Sequence, residues 1–201
     1  HPVSCTALAN IAQELINQGK PAEAHKIASE GAKKHTSSDG STDCRSLKSQ
    51  IEAKQLGVET ERVAGKPLPR IKITYANIES CWMKLIPGDW ESLLKKSRWN
   101  TPENLDYNEW ESLSKRQGVK QWEVKLPATT DFKQRTELGD FPEVKAGFYY
   151  LVVSWNPQFS NSQNAIRIAP VFVSSLSFYT RNRNGAIEGL VCDNESGRPI
   201  S

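Results

Sequence analysis

Two apolar runs joined by a polar loop, between residues 146 and 177, constrain the fold of this chain more than any other stretch. The first run, residues 148–155, is aromatic and β-branched, and the turn sequence Lys-Ala-Gly precedes it. The second run covers residues 166–176. Short runs of this composition, bounded by turn residues, are typical of β-strands. We therefore predict two strands with a loop between them, and we find no catalytic motif in either strand.

Shorter alternating segments surround this pair. In residues 70–76 apolar side chains fall at every second position, which predicts a half-buried strand. Residues 81–85 repeat the alternation with Trp82 and Lys84 on the outward face, and we expect the two strands to form a hairpin. Residues 119–126 predict another strand, which a charged loop follows. Several short strands separated by turns favour an antiparallel β-sandwich over a parallel sheet.

The beginning of the chain predicts helices instead of strands. Apolar residues recur at helical spacing within residues 4–56. Gly19 is suited to end the first helix, and Pro21 suits the first turn of the second. We expect a break at residues 40–41, followed by a third helix between residues 42 and 57.

The segment NQGKPAEAHKIASEGAKK, residues 17–34, is similar to a tetratricopeptide-type helical pair. Units of this type bury their apolar faces by stacking on neighbours. We therefore expect the helical region to pack on the predicted sandwich or on further helices. A peptide-binding groove formed by the same helices is the alternative interpretation.

A partly helical insertion is predicted at about residues 88–118, between two strands. Asp89 and Thr101 are suited to cap its two short helices. The insertion holds four aromatic side chains that are candidates for an interaction surface: Trp90, Trp99, Tyr107 and Trp110. Such side chains can bind sugar, but aromatic anchors that attach an insertion to a sheet are the commoner use.

These patterns divide the chain into three predicted regions. Residues 1–60 are helical, with a tetratricopeptide-like hairpin and a third helix. Residues 68–180 form a β-sandwich that carries the insertion. Residues 185–201 resemble the first hairpin of a further β domain. The predicted fold class is thus mostly β with an α-helical N-terminal segment.

The four cysteines, Cys5, Cys44, Cys81 and Cys192, are widely spaced and form no CxxC pair. This spacing argues against a zinc site or a redox motif. Their even number allows disulfides, and Cys5 with Cys44 is the pair that we would test first. Buried free thiols are the equally plain alternative.

The chain shows none of the motifs that mark common enzyme sites. Its three histidines all lie within the first 35 residues. Neither His25 nor His35 has a neighbouring cysteine or histidine at the spacing of metal ligands. We therefore expect no metal, no cofactor and no catalytic activity, and a hydrolase would lack a nucleophile–base pair. The net charge of +3, with acidic and basic residues interleaved, argues against nucleic acid as a partner. No apolar run approaches the roughly 20 residues that span a bilayer.

An ordered series of segments resembles the N-terminal portion of bacterial alpha-2-macroglobulin-like proteins. The series comprises the helical region before QIEAK, then ITYANIESCWMKL, then VKQWEVKLPATTDFKQRTELGDFPEVKAGFYYLVVS, then VFVSSLS, and finally an aspartate and SGRPI. The resemblance covers most of the chain, and it depends on the order of these segments.

This resemblance implies a macroglobulin-type domain, a seven-stranded antiparallel β-sandwich. It also implies an exported protein of the periplasm or cell envelope, with any lipid or membrane anchor outside this segment, that traps attacking proteases. The expected partners are adjacent domains of the same chain and, for the whole protein, proteases. The family's Cys-Gly-Glu-Gln thioester is absent here, since the four cysteines are followed by Thr, Arg, Trp and Asp. The segment is thus expected to supply architecture.

The final residues, IEGLVCDNESGRPIS, are also similar to the carboxypeptidase-regulatory-like repeats of outer-membrane nutrient receptors. Combined with the tryptophan-rich insertion, this similarity implies a second function from another class. In that alternative the chain is a surface module that binds glycans or accompanies a nutrient receptor.

Overall fold

The computed structural model describes residues 2–34, 38–96, 101–161 and 164–200. Over these residues the chain is mixed α/β, mostly strands, with five helices and ten strands. The helices are α1 (Pro2–Asn17), α2 (Pro21–Lys33), α3 (Asp39–Glu52), α4 (Trp90–Lys96) and α5 (Tyr107–Lys115). The strands are β1 (Gln55–Glu59), β2 (Val63–Ala64), β3 (Arg70–Ala76), β4 (Ser80–Pro87), β5 (Lys120–Lys125), β6 (Arg135–Asp140), β7 (Gly147–Ser154), β8 (Ile166–Val173), β9 (Leu176–Arg183) and β10 (Ala186–Asp193).

The chain forms two compact units. The first, the helical unit, contains the described part of residues 1–55 together with residues 74–79 and 126–136. The second, the sheet unit, contains residues 56–73, 80–125 and the described part of 137–201. The chain therefore passes between the units several times.

Three helices pack against one another in the helical unit, which confirms the prediction of three helices there. Small side chains fill the space between them, and Cys5, Ala12, Ala28 and Cys44 are fully buried. At Gly31 a Cβ atom would lie only 2.3 Å from the sulfur of Cys44, so a larger residue would separate α2 from α3. Because the side chains are small, the helix axes can approach closely.

The predicted break at residues 40–41 is wrong, because both residues are buried in the first turn of α3. Ser38 caps this helix, and its Oγ accepts a hydrogen bond from the backbone N–H of Ser41 at 3.3 Å. A Cβ at Gly40 would lie 2.3 Å from the backbone nitrogen of Thr6. The glycine is therefore explained by the close approach of α1 and α3.

The helix α3 ends at Glu52, earlier than predicted. The side-chain amide of Asn77 donates hydrogen bonds to the carbonyl oxygens of Ile51 and Ala53, at 2.8 and 2.9 Å. These bonds satisfy carbonyl groups at the helix end, where the helix itself supplies no partner. The residues beyond form β1, so the chain leaves the helix before Gly57.

The sheet unit contains a five-stranded sheet in the order β2-β8-β7-β4-β5. Its centre is the predicted pair: β7 and β8 run antiparallel, with Leu151 opposite Ala169. The strand β7 is buried from Phe148 to Ser154, as expected for a strand with neighbours on both sides. The short β2 runs parallel to β8, so the expectation of a wholly antiparallel sheet is wrong at this edge.

The predicted hairpin between residues 70–76 and 81–85 is also wrong. Both strands exist, but β3 belongs to a three-stranded sheet in the order β1-β3-β6, whereas β4 pairs with β5 and β7. The alternation of β3 is confirmed, since Ile71 and Ile73 are fully buried. The strand β4 is buried on both faces over much of its length, and this places Lys84 inside instead of outside.

One strand lies where a charged loop was predicted, and another continues into a polar segment. The strand β6 falls within the charged segment 131–142, and Arg70 of β3 donates to the carbonyl oxygen of Leu138 at 2.8 Å. The strand β9 continues through the polar sequence TRNR and pairs along its whole length with β10. Asn184 and Gly185 have φ values of 52° and 80° and make the two-residue turn between them.

Candidate functional site

The helical insertion is the part of the sheet unit with the most varied side-chain chemistry. Its second helix, α5, begins at Tyr107 and is capped by Asp106, instead of starting from Thr101 as predicted. The Asp106 carboxylate accepts a hydrogen bond from the N–H of Glu109 at 2.8 Å, and Glu109 accepts from the N–H of Asp106 at 3.2 Å. This reciprocal capping box fixes where α5 starts.

The tryptophans of the insertion pack mostly onto apolar neighbours. Trp90 meets Phe172 and Phe148 edge-on, with ring centroids 4.9 and 5.7 Å apart. Trp110 packs against the buried cluster beneath the insertion. Tyr107, by contrast, is 70% exposed. The fourth candidate, Trp99, lies outside the described residues.

A buried lysine lies beneath the end of α5. Lys84 of β4 is 4% exposed, and its ammonium donates hydrogen bonds to the carbonyl oxygens of Ser114 and Arg116, both at 2.8 Å. The same ammonium lies 4.1 Å from the ring centroid of Phe159. Burial lowers the pKa of Lys84. Alternation along the strand predicted an outward-facing Lys84, although a lone charge within the apolar run SCWMKLIP signals a buried position.

A cavity of about 350 Å³ opens between α4, α5 and the strand β7. Leu113 and Tyr150 form its buried floor, and Leu93 and Leu105 line its sides. Polar groups, including those of Asp89 and Arg116, line the cavity as well. Periodicity could not predict this cavity, because its lining comes from segments far apart in the sequence.

The four cysteines are buried free thiols. Cys5 and Cys44 are neighbours, since the thiol of Cys44 donates to the carbonyl oxygen of Cys5 at 3.6 Å. Burial, and then the proximity of Cys5 and Asp43, raises the pKa of Cys44. Burial, followed by the charge of Glu123, raises the pKa of Cys81 to about 12. Cys5 and Cys44 are not bonded to each other in the structure, and their oxidation to a disulfide stays a prediction.

The histidine that the structure describes within the helical unit is hydrogen-bonded to a carboxylate. Nε2 of His25 lies 2.7 Å from Oε1 of Glu52, and the imidazole ring stacks on Phe132 with centroids 4.5 Å apart. His35 lies outside the described residues. Across the described part of the chain, no group of three or more His, Cys, Asp or Glu side chains is placed to hold a metal ion.

Comparison of the chain with protein-family models, with curated proteins and with solved structures yields no match. Among the described helices, none is long and apolar enough to cross a membrane. Function is therefore inferred from the residues and from their arrangement.

Proposed function

We propose that this chain is a non-catalytic structural module of a bacterial alpha-2-macroglobulin-like protein. In this proposal the whole protein is exported to the periplasm or cell envelope and inhibits proteases by trapping them. The segment supplies architecture and contacts adjacent domains of the same chain. Any membrane anchor lies elsewhere in the protein.

The observation that carries the proposal is the match between the ordered segments and the strands. The segment VKQWEVKL contains β5, AGFYYLVVS contains β7, and VFVSSLS joins the end of β8 to the start of β9. The aspartate is the last residue of β10, and SGRPI follows after a turn and returns to it, since Pro199 bridges to Cys192. Segments chosen for their resemblance thus coincide with strands and strand ends.

The sheet composition supports the finer expectation of a seven-stranded sandwich. Three strands form β1-β3-β6, and four longer strands form β8-β7-β4-β5 when the two-residue β2 is set aside. At Gly139 of β6 a Cβ atom would lie 3.2 Å from Ile73 and 3.8 Å from Val124 of β5. The two sheets therefore approach each other at this point, as the layers of a sandwich do.

The whole protein provides the test. We expect its sequence to continue into a series of β-sandwich domains. When it is incubated with a broad-specificity protease, the trapped protease should still hydrolyse a small chromogenic peptide but should lose most of its activity on a large protein substrate. The isolated 201-residue segment is the control and should inhibit neither reaction.

The contrary outcomes are equally specific. Unchanged cleavage of the large substrate, or continuation of the chain into a transporter or carbohydrate-active domain, would overturn the proposal. Binding on a glycan array that disappears in Tyr107→Ala would support the glycan-binding alternative instead. Tyr107 is the suitable position because its exposed ring can be removed without disturbing the buried cluster.

A further inference from the structure

The cavity beneath the insertion has the size of a small-molecule site. Its volume of about 350 Å³ lies near the lower end of the roughly 300–1,000 Å³ typical of ligand pockets. Its apolar surface comes from Leu93, Leu105 and Leu113. This site is suited to a small molecule with an apolar part.

The floor of the cavity carries an unused polar group. Tyr150 is 5% exposed, yet no hydrogen-bond partner for its hydroxyl is found in the described part of the chain. Burial, followed by the charges of Glu109 and Glu103, raises the pKa of Tyr150 to about 12. The phenol therefore stays protonated at neutral pH and can donate a hydrogen bond. The hydroxyl is not among the fully buried atoms without a partner, so it is accessible from the cavity and available to a ligand that accepts this bond.

Two opposite charges lie at the same end of the cavity as Tyr150. A Cβ at Gly88 would lie 3.2 Å from Cε2 of Tyr150, so the ring lies beside the residue that precedes Asp89. Arg116 reaches the same place, since its Nη2 donates to the carbonyl oxygen of Pro87 at 3.1 Å. Hydrogen bonds from Ser92 hold the pKa of Asp89 below its usual range, so this carboxylate is charged at neutral pH.

Asp89 and Arg116 do not form an ion pair with each other. Both oxygens of Asp89 accept hydrogen bonds from Ser92, at 3.0 and 2.5 Å, and the backbone N–H of Glu91 donates as well. A carboxylate has about four acceptor sites, so one is left open. Arg116 has five N–H donors, and the structure shows one of its nitrogens occupied. Both charges therefore retain hydrogen-bonding capacity for a third group.

We propose that this cavity binds a free α-amino acid with an apolar side chain. The ligand carboxylate accepts hydrogen bonds from Arg116 and from the Tyr150 hydroxyl, and the ligand ammonium pairs with Asp89. The apolar side chain lies against the leucines. An amino acid fits because its two charges are separated by about one bonded carbon, so both can be met at one end of a cavity. The inference is independent of the protease-trapping proposal.

The chemistry of the cavity disfavours other small ligands. A simple anion would face Asp89, and a simple cation would face Arg116. A neutral sugar would leave both charges without a counter-charge and would place hydroxyl groups against three leucine side chains. A zwitterion with an apolar side chain matches Asp89, Arg116 and the leucines at once. The carboxylate of Glu109 also lines the cavity and accepts a hydrogen bond from the N–H of Asp106.

Calorimetric titration of the 201-residue chain with L-leucine tests the proposal. For so small a ligand we expect saturable binding with a dissociation constant of about 0.1–1 mM. L-leucinamide lacks the carboxylate and N-acetyl-L-leucine lacks the ammonium, so both should bind about tenfold more weakly or worse. D-glucose should not bind.

Three variants locate the site. Tyr150→Phe removes only the hydroxyl, Asp89→Asn keeps an oxygen to cap α4, and Arg116→Met removes the guanidinium. Each should weaken L-leucine binding about tenfold or more, while thermal melting shows that the fold is retained. Lys115→Met is the control, because Lys115 pairs with Glu111 at 2.8 Å and does not line the cavity.

Four results would overturn the inference. They are the absence of binding up to about 50 mM L-leucine, equal binding by the three variants and the unmodified chain, equal binding of leucine and its two blocked derivatives, and preferential binding of D-glucose. Amide chemical-shift changes confined to residues around Tyr150 and Ser112 would support the inference independently of any variant.

Discussion

Single residues carry interactions that the local sequence does not indicate. Lys84 has the alternation of an outward-facing residue, yet it is buried because β4 has neighbours on both sides. Its ammonium is tolerated there because two carbonyl oxygens at the end of α5 and the face of Phe159 surround it. The groups that stabilise the buried ammonium are thus about 30 or more positions away in the sequence.

We predict that Lys84→Met destabilises the chain by about 1–3 kcal/mol, because the substitution leaves two helix-end carbonyl groups without their donor. The cost of burying the charge offsets part of that loss. Chemical denaturation measures the change, and hydrogen exchange should show faster opening at the end of α5. Lys120→Met, on an exposed position of β5, is the control and should be nearly neutral. A Lys84→Met variant as stable as the unmodified chain would contradict the assigned role.

The pair of His25 and Glu52 predicts a pH dependence in the helical unit. The hydrogen bond from His25, and then the charge of Lys48, lowers the pKa of Glu52 from its ordinary 4.5. A carboxylate whose pKa is lower in the folded state binds fewer protons there than in the unfolded state. Its stabilising effect is therefore complete above about 4.5 and disappears as the pH falls through the lower folded value.

Glu52→Gln should remove this dependence. The stability difference between the unmodified chain and Glu52→Gln should be largest near neutral pH and should shrink as the solution is acidified below about pH 4.5. Thermal melts from about pH 6 to pH 3 measure the difference. Glu23→Gln, an exposed residue of α2, serves as the control. A difference that stays constant over this range would show that the hydrogen bond between His25 and Glu52 does not stabilise the fold.

At the scale of elements, helix ends are set by specific side chains and not by the limits of the apolar pattern. Ser38 starts α3, Asp106 starts α5, and Asn77 binds the last carbonyl groups of α3. The starts of α3 and α5 differ from those predicted for this reason. The apolar pattern also fails to indicate one of the strands. The segment β6 is charged, and it is a strand because it pairs with β3.

We predict that Asp106→Ala destabilises α5 by about 1 kcal/mol, whereas Asp106→Asn is nearly neutral. Alanine removes the side-chain acceptor for the N–H of Glu109, and asparagine keeps it. Denaturant unfolding measures the stability, and hydrogen exchange at Glu109 reports the cap itself. Equal losses in the two variants would indicate that the charge of Asp106, instead of its cap, stabilises the helix.

At the scale of the molecule, the hairpin of β9 and β10 exposes much apolar surface. Phe178, Tyr179 and Ile187 are each more than half exposed, and Leu190 is nearly so. An isolated two-stranded hairpin is marginally stable in water. Exposed apolar surface with open strand edges favours association between molecules.

We predict that Ile187→Lys reduces self-association of the chain and changes its stability by no more than about 0.5 kcal/mol, because this side chain is 76% exposed. Analytical ultracentrifugation over a range of concentrations measures the association. Asn182→Lys, at the position opposite Ile187, adds the same charge without removing apolar surface and should have a smaller effect. Equal effects of the two variants would assign the change to charge alone.

The side-chain pattern by itself determined the three N-terminal helices, the central β7–β8 pair and the two short helices of the insertion. These elements follow from local periodicity and turn residues, which are properties of neighbouring positions. The aromatic residues of the insertion were also identified, although not which of them would be buried. The observed helix ends differ from the predicted ones because the capping groups lie outside the apolar stripes.

Only the tertiary structure decided that β3 and β4 enter different sheets, that polar β6 and β9 are strands, and that Lys84 lies inside. Each outcome depends on backbone or side-chain partners distant in the sequence, and alternation along one strand contains no information about its neighbours. The cavity has the same origin, because Asp89, Arg116 and Tyr150 meet only when the insertion folds over β7. Local chemistry determined the helices and the apolar strands, whereas long-range pairing determined the polar strands, the sheets and the site.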